Sequence, residues 1–172
     1  MKRFKSKGRS LLAILLGLCF ALPGFAVFAQ ENDDMTIGGA EPGAQGDAAI
    51  ARTTDQVHSG SDSLKVAGRG AGWHGATWDV KNVLASGGAG TYALEAYVLG
   101  ADGETLGYTV NAANANWLGV PAVTLSSGNW TRLYGTITVS ESNLEAVNRE
   151  GWATLYPGGS GTGDYYIDDV RL

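Results

Sequence analysis

Few side chains in this sequence are equipped for covalent chemistry. Two histidines, His58 and His74, and one cysteine, Cys19, are its only imidazoles and thiol. A Ser–His–acid triad has to use one of those histidines. His58 lies in Val57-His58-Ser59-Gly60-Ser61-Asp62, which reads as a turn between strands, and His74 follows Trp73 between glycines. No Gly-x-Ser-x-Gly elbow leads into a helix. The His/Cys spacings of a zinc site are missing, and the glycine runs lack the Lys-Ser/Thr of a phosphate-cradling loop. Glycoside hydrolysis needs only two carboxylates across a cleft. Seventeen acids make some pair inevitable, so Glu95 and Glu104, the best placed, carry little weight. The residues that stand out are five Trp and seven Tyr. Flat rings with a polar handle suit stacking on the apolar C–H faces of sugars, although sheet cores use the same residues.

The charges and apolar residues separate the chain into two objects. Lys2, Arg3, Lys5, Lys7 and Arg9 precede an apolar run from Leu11 to Ala29, which ends in Ala26-Val27-Phe28-Ala29. This basic, apolar, small-residue order predicts a secretory signal peptide over 1–29; the alternative is an uncleaved anchor. A polar leader, 30–35, comes next, and 36–172 reads as one module. All four Phe and the cysteine fall before residue 30. Beyond Ala29 there are seven bases against seventeen acids, a net charge of −10. That balance excludes nucleic acid and anionic membranes as partners. With no cysteine left, no disulfide staples the exported part.

The elements that must position these residues are short strands. Ser63-Leu64-Lys65-Val66, Tyr92 to Val98, Thr105 to Val110 and Arg132 to Val139 alternate polar with apolar residues, and Tyr165 and Ile167 share a face. Period two predicts strands with one buried side. Turn signals separate them at Gly87-Gly88, Asp102-Gly103 and Ser127-Gly128-Asn129. Helical signal is confined to Asp79–Ala85 and Glu141–Arg149, and Ser140 with Asn143 lacks the Glu of a full capping box. The pattern predicts an all-β sandwich or jelly roll.

Several segments then line up in order. Val57-His58-Ser59-Gly60-Ser61-Asp62-Ser63-Leu64-Lys65-Val66 is followed by Gly68-Arg69 and Trp73-His74-Gly75, then Gly90-Thr91-Tyr92 and Ala96-Tyr97-Val98. Trp130-Thr131-Arg132-Leu133-Tyr134-Gly135-Thr136 comes next, and Asp164-Tyr165-Tyr166-Ile167-Asp168-Asp169-Val170 closes the chain. This series resembles the xylan-binding carbohydrate-binding modules of family 22 and the broader group with families 4 and 9. The resemblance implies a galactose-binding-like jelly roll with a groove on one sheet. It implies a secreted, monomeric, non-catalytic module that binds β-1,4-xylan or mixed-linkage β-glucan, attached to a glycoside hydrolase or a cell-surface protein. The alternatives are a small glycoside hydrolase and a structural or adhesive domain without a sugar ligand.

The resemblance also implies residue roles. Trp73 matches the groove tryptophan, and Trp117 stands where a second aromatic is presented. Trp78, Tyr134 and Arg69 complete the expected carbohydrate-binding set. Read on their neighbours alone, Trp73, Trp117 and Trp78 fit either a groove or a core, whereas Trp130 and Trp152 read as packing. The place of a groove Glu is taken by Pro157, and the groove Arg has no counterpart, although Gln45 and Arg52 lie in that region. A structural calcium is implied, with Glu41 and either Asp168 or Asp169 as carboxylate ligands and backbone oxygens from 61–65. Oxygen donors of this kind suit calcium.

Overall fold

A computed structural model describes residues 35–114 and 116–172. The predicted signal peptide, and the leader as far as residue 34, lie outside the described residues. Among those residues no helix is long and apolar enough to cross a membrane.

Two antiparallel sheets face each other, as the alternation predicts. The first runs β1 (Gly43–Gln45), β4 (Gly75–Asp79), β10 (Thr154–Ser160), β6 (Thr105–Asn111) and β7 (Trp117–Gly119), with β8 (Val123–Thr124) also on β6. The second runs β2 (Ala49–Thr53), β3 (Ser63–Ala67), β11 (Tyr165–Arg171), β5 (Gly90–Leu99) and β9 (Thr131–Val139). The longest ladder joins β5 to β9, from Gly90 opposite Val139 to Val98 opposite Thr131.

Inward residues of both sheets make one core. Leu94, Ala96 and Val98 of β5 meet it beside Leu133, Ile137 and Val139 of β9, and Leu106, Tyr108 and Val110 of β6 close it from the other sheet. With no Phe in this region, Trp78, Tyr108 and Tyr165 supply the bulk. Their polar ends are satisfied: the Trp78 indole donates to the Met35 carbonyl at 2.8 Å, and the Tyr108 and Tyr165 hydroxyls meet at 3.0 Å. Burial without those partners would cost a few kcal/mol per group.

The helical segments are α1 (Lys81–Gly87), which starts later than the expected Asp79 because that residue ends β4, and α2 (Glu141–Glu150), where the sequence places it. Asn143 performs the part of the missing Glu in α2. Its side-chain oxygen accepts from the Ser140 amide at 2.9 Å, and its amide donates to the Ser140 hydroxyl at 3.2 Å. Beside α1 an apolar cleft of about 460 Å³ is lined by Gly38, Val83, Tyr92 and Leu172.

Candidate binding face

The outward side of the first sheet gathers exposed rings over a polar floor. On β6, Leu106, Tyr108 and Val110 enter the core, so Thr109 and Asn111 point outward. On β10, buried Leu155 and Pro157 alternate with Tyr156 and Gly158. On β7, Trp117 lies opposite Asn111, and it is 55% exposed. Trp117 and Tyr156 flank β6 from its two neighbouring strands, and their rings meet edge to face at 5.5 Å between centroids. Gln45 on β1 shares this side with Thr77 of β4.

The second exposed ring stands on the loop between β3 and β4. Residues 71–74 form a turn ahead of β4, in which the His74 amide donates to the Ala71 carbonyl oxygen at 3.0 Å, so this turn and not the alternation of β4 sets the place of Trp73. Trp73 is 52% exposed and His74 is buried. Gly72 lets this loop press against β10, because a Cβ there would collide with the Gly159 carbonyl oxygen. About 10 Å of strand, three residues, separates Gly159 from Tyr156. Trp117 thus stands near one end of this sheet and the Trp73 loop near the other.

Arg69 is a strut for that loop, which corrects its expected place in the groove. It is 7% exposed. Its guanidinium donates to the carbonyl oxygens of His74 at 2.8 Å, Gly72 at 2.8 Å and Gly163 at 3.0 Å, and lies 4.9 Å from the Tyr165 ring centroid. A guanidinium buried in this way, with three of its five N–H donors on backbone carbonyls, serves the loop and not the sheet surface. His74 ties the other side. Its Nδ1 accepts from the amides of Asp47 and Gly70, both at 3.1 Å, and its ring stands edge-on to Trp73 at 4.2 Å.

Two other expected groove residues lie elsewhere. Trp78 is fully buried in the core, because it alternates with Thr77 toward the inner side. Tyr134 is 45% exposed, but it stands on β9 of the second sheet, opposite Glu95, under the Arg132 guanidinium at 4.4 Å. It faces away from Trp117. Sequence reasoning missed Tyr156 and Asn111. The alternation of Leu155-Tyr156-Pro157 was the signal for the tyrosine; nothing local singles out Asn111. Trp152, expected to pack, is exposed after α2.

Glu95 and Glu104, the acids singled out for hydrolysis, each have a partner. Glu95 accepts from Arg132 Nε at 2.6 Å on the second sheet. Glu104 accepts from the Gly163 amide at 3.2 Å.

Nor do Glu41, Asp168 and Asp169 come together as a cation site. Glu41 pairs with Arg52 at 3.3 Å. Asp168 accepts from the amides of His58 at 2.8 Å, Ser59 at 3.2 Å and Asp169 at 2.8 Å. Asp169 accepts from His58 Nδ1 at 2.6 Å, the Ser59 hydroxyl at 2.8 Å and Arg171 at 3.3 Å. The His58 ring also stacks on Tyr97 at 3.6 Å. Calcium needs oxygens with lone pairs turned toward the ion, whereas these oxygens face N–H and O–H donors. The arrangement does not fit calcium, and among the described residues no cluster of three His, Cys, Asp or Glu could hold a metal. Burial raises the Asp168 carboxyl above 3.8, and the three amides oppose that rise.

Residues 39–148 match the family described as carbohydrate binding domain. An endo-1,4-beta-xylanase A of Thermotoga maritima is 30% identical over an alignment of 135 residues that covers 74% of this chain. That of Thermotoga neapolitana is 32% identical over an alignment of 133 residues that covers 73% of this chain. The matched stretch is 12% of the length of each relative. Among solved structures, the CBM22-1 xylan-binding domain of Paenibacillus barcinonensis Xyn10C superposes with a TM-score of 0.64 at 18% identity, covering 81% of this chain and 88% of the domain. The C-terminal family 22 carbohydrate binding module of Clostridium thermocellum Xyn10B gives 0.62 at 19%, covering 76% and 82%. At these identities the structural likeness speaks for the fold.

Proposed function

The chain belongs to the carbohydrate binding domain family, and from that premise we propose a non-catalytic module that binds a β-1,4-xylan or mixed-linkage β-glucan chain across the outward side of the first sheet. The observation that carries this reading is the pair of exposed tryptophans, Trp117 on the outward side of the first sheet and Trp73 on the loop packed against its strand β10. A ring half in water has its apolar surface available for the C–H side of a pyranose. Thr109 on the same side, with Gln45 on the edge strand β1, offers hydroxyl and amide groups to the sugar rim. The net charge of −10 beyond Ala29 suits a neutral glycan.

The names of the relatives support xylan: two are endo-1,4-beta-xylanases, and one structural neighbour is a xylan-binding domain. In this reading the module is exported under residues 1–29, works as a monomer, and anchors a glycoside hydrolase or a cell surface to plant-wall polysaccharide. The residues named for calcium do not fit it, so calcium has no part in the reading.

Titration calorimetry with xylohexaose and a mixed-linkage β-glucan oligosaccharide tests it. Binding to at least one, lost in Trp73→Ala or Trp117→Ala with the fold intact, supports the reading. Absence of binding to both ligands overturns it.

A further inference from the structure

Asn111 is the anomaly of the binding face. It is 6% exposed, and its side-chain oxygen is buried with no hydrogen-bond partner, alone among the described residues in this respect. Its neighbours define where it sits. In the ladders β6 forms on either side, Asn111 is opposite Trp117 of β7 and Thr154 of β10. It is on the outward side, since Val110 before it and Ala112 after it are both core. Trp117 and Tyr156 reach toward each other from β7 and β10, and β6 runs between those strands. The carboxamide is therefore on the floor over which the two rings meet.

A buried carbonyl-type oxygen without a donor is costly. A packed core would put an apolar residue in such a place. Of the rings above it, Trp117 is exposed and Tyr156 is half-buried. β7 is three residues long and pairs only with β6.

We propose that Asn111 is a sugar-reading residue, and that the Trp117–Tyr156 pair is the ligand-free, closed form of its subsite. The proposal rests on the carbohydrate-binding reading above. A bound pyranose parts the rings and stacks on Trp117, and one of its hydroxyls donates to the Asn111 oxygen. The amide nitrogen is then beside the same sugar and donates to a neighbouring hydroxyl oxygen. A carboxamide, donor and acceptor side by side, matches two vicinal hydroxyls. Sugars that carry free vicinal hydroxyls at this subsite are the ones it selects.

Calorimetry with xylohexaose on the full chain tests this, comparing wild type with Asn111→Leu and Asn111→Ala. Affinity falls about tenfold in both, the worth of one hydrogen bond with a buried partner. The thermal midpoint of the Leu variant holds or rises, because an unpaired acceptor has been replaced by an apolar group of similar shape. A purely structural asparagine does the reverse: the midpoint falls and the affinity stays. Unchanged affinity in both variants overturns the inference and leaves the sugar reading standing. Failure of the wild type to bind xylohexaose or a mixed-linkage β-glucan overturns both.

Discussion

The Nε–H of Arg69 donates to the carbonyl oxygen of His74 at 2.8 Å, and that bond closes the Trp73 loop from inside. The same guanidinium reaches Gly72 and Gly163, so one side chain fixes both the loop and the turn before β11. Arg69→Met removes the fork and leaves three carbonyls short of donors. The expected loss is about 3 kcal/mol of folding stability, as for a broken buried charged network. Urea denaturation measures it. Sugar affinity falls with it, because Trp73 loses its support.

Trp73→Ala and Trp117→Ala have the opposite profile. Both rings are more than half exposed, so stability changes by about 0.5 kcal/mol or less. Retardation in xylan-containing native gels drops by about tenfold or more, as for an aromatic anchor at a binding face. Tyr134→Ala, on the second sheet, leaves retardation unchanged. An equal loss in Tyr134→Ala would place the sugar on the wrong face.

The donor-filled carboxylates of Asp168 and Asp169 lead to a prediction about cations. A ligand that binds only the native state raises its melting temperature with concentration. Calcium in the millimolar range and chelator should leave the midpoint in the same place. Asp168→Ala, by contrast, strips the acceptor from the amides of His58, Ser59 and Asp169. It costs about 3 kcal/mol, read by calorimetric melting.

Alkaline pH acts through the core tyrosines. Burial pushes the Tyr108 phenol well above 10.0 and raises Tyr165 as well. In the unfolded chain these groups ionise near 10.0, so the unfolded state releases protons first as the pH climbs. Stability from the protonated pair is complete below about pH 10 and is lost above it. Melting temperatures recorded from pH 9 to 11 should fall steeply past 10, and less steeply in Tyr108→Phe.

How much of this was written in the chain depends on the length scale. Period-two alternation placed the strands around Leu64, Leu94, Tyr108 and Leu133, because inward and outward sides are a local property. Asn143 was legible as a cap position, though its chemistry is that of the usual Glu. What alternation lacks is the identity of the sheet. Tyr134 reads as outward, and it is, but only the pairing of β9 with β5 says that its outside is the other one. Arg69 reads as surface by its charge. Its burial depends on carbonyls at positions 72, 74 and 163, one of them nearly a hundred residues away. Trp78 lies within β4 and is sent into the core by its alternation, whereas Trp73 lies in the turn ahead of that strand, where period two says nothing.

Gly38, near the start of the described chain, and Leu172, its last residue, line the same cleft. The fold is thus entered and left at one corner. A polypeptide that carries this module can route through it as through a spur, with little net displacement between its flanking segments. Joining residues 35 and 172 with a short linker, and opening the chain at the Ser127–Asn129 turn, should yield a circular permutant that keeps both sheets.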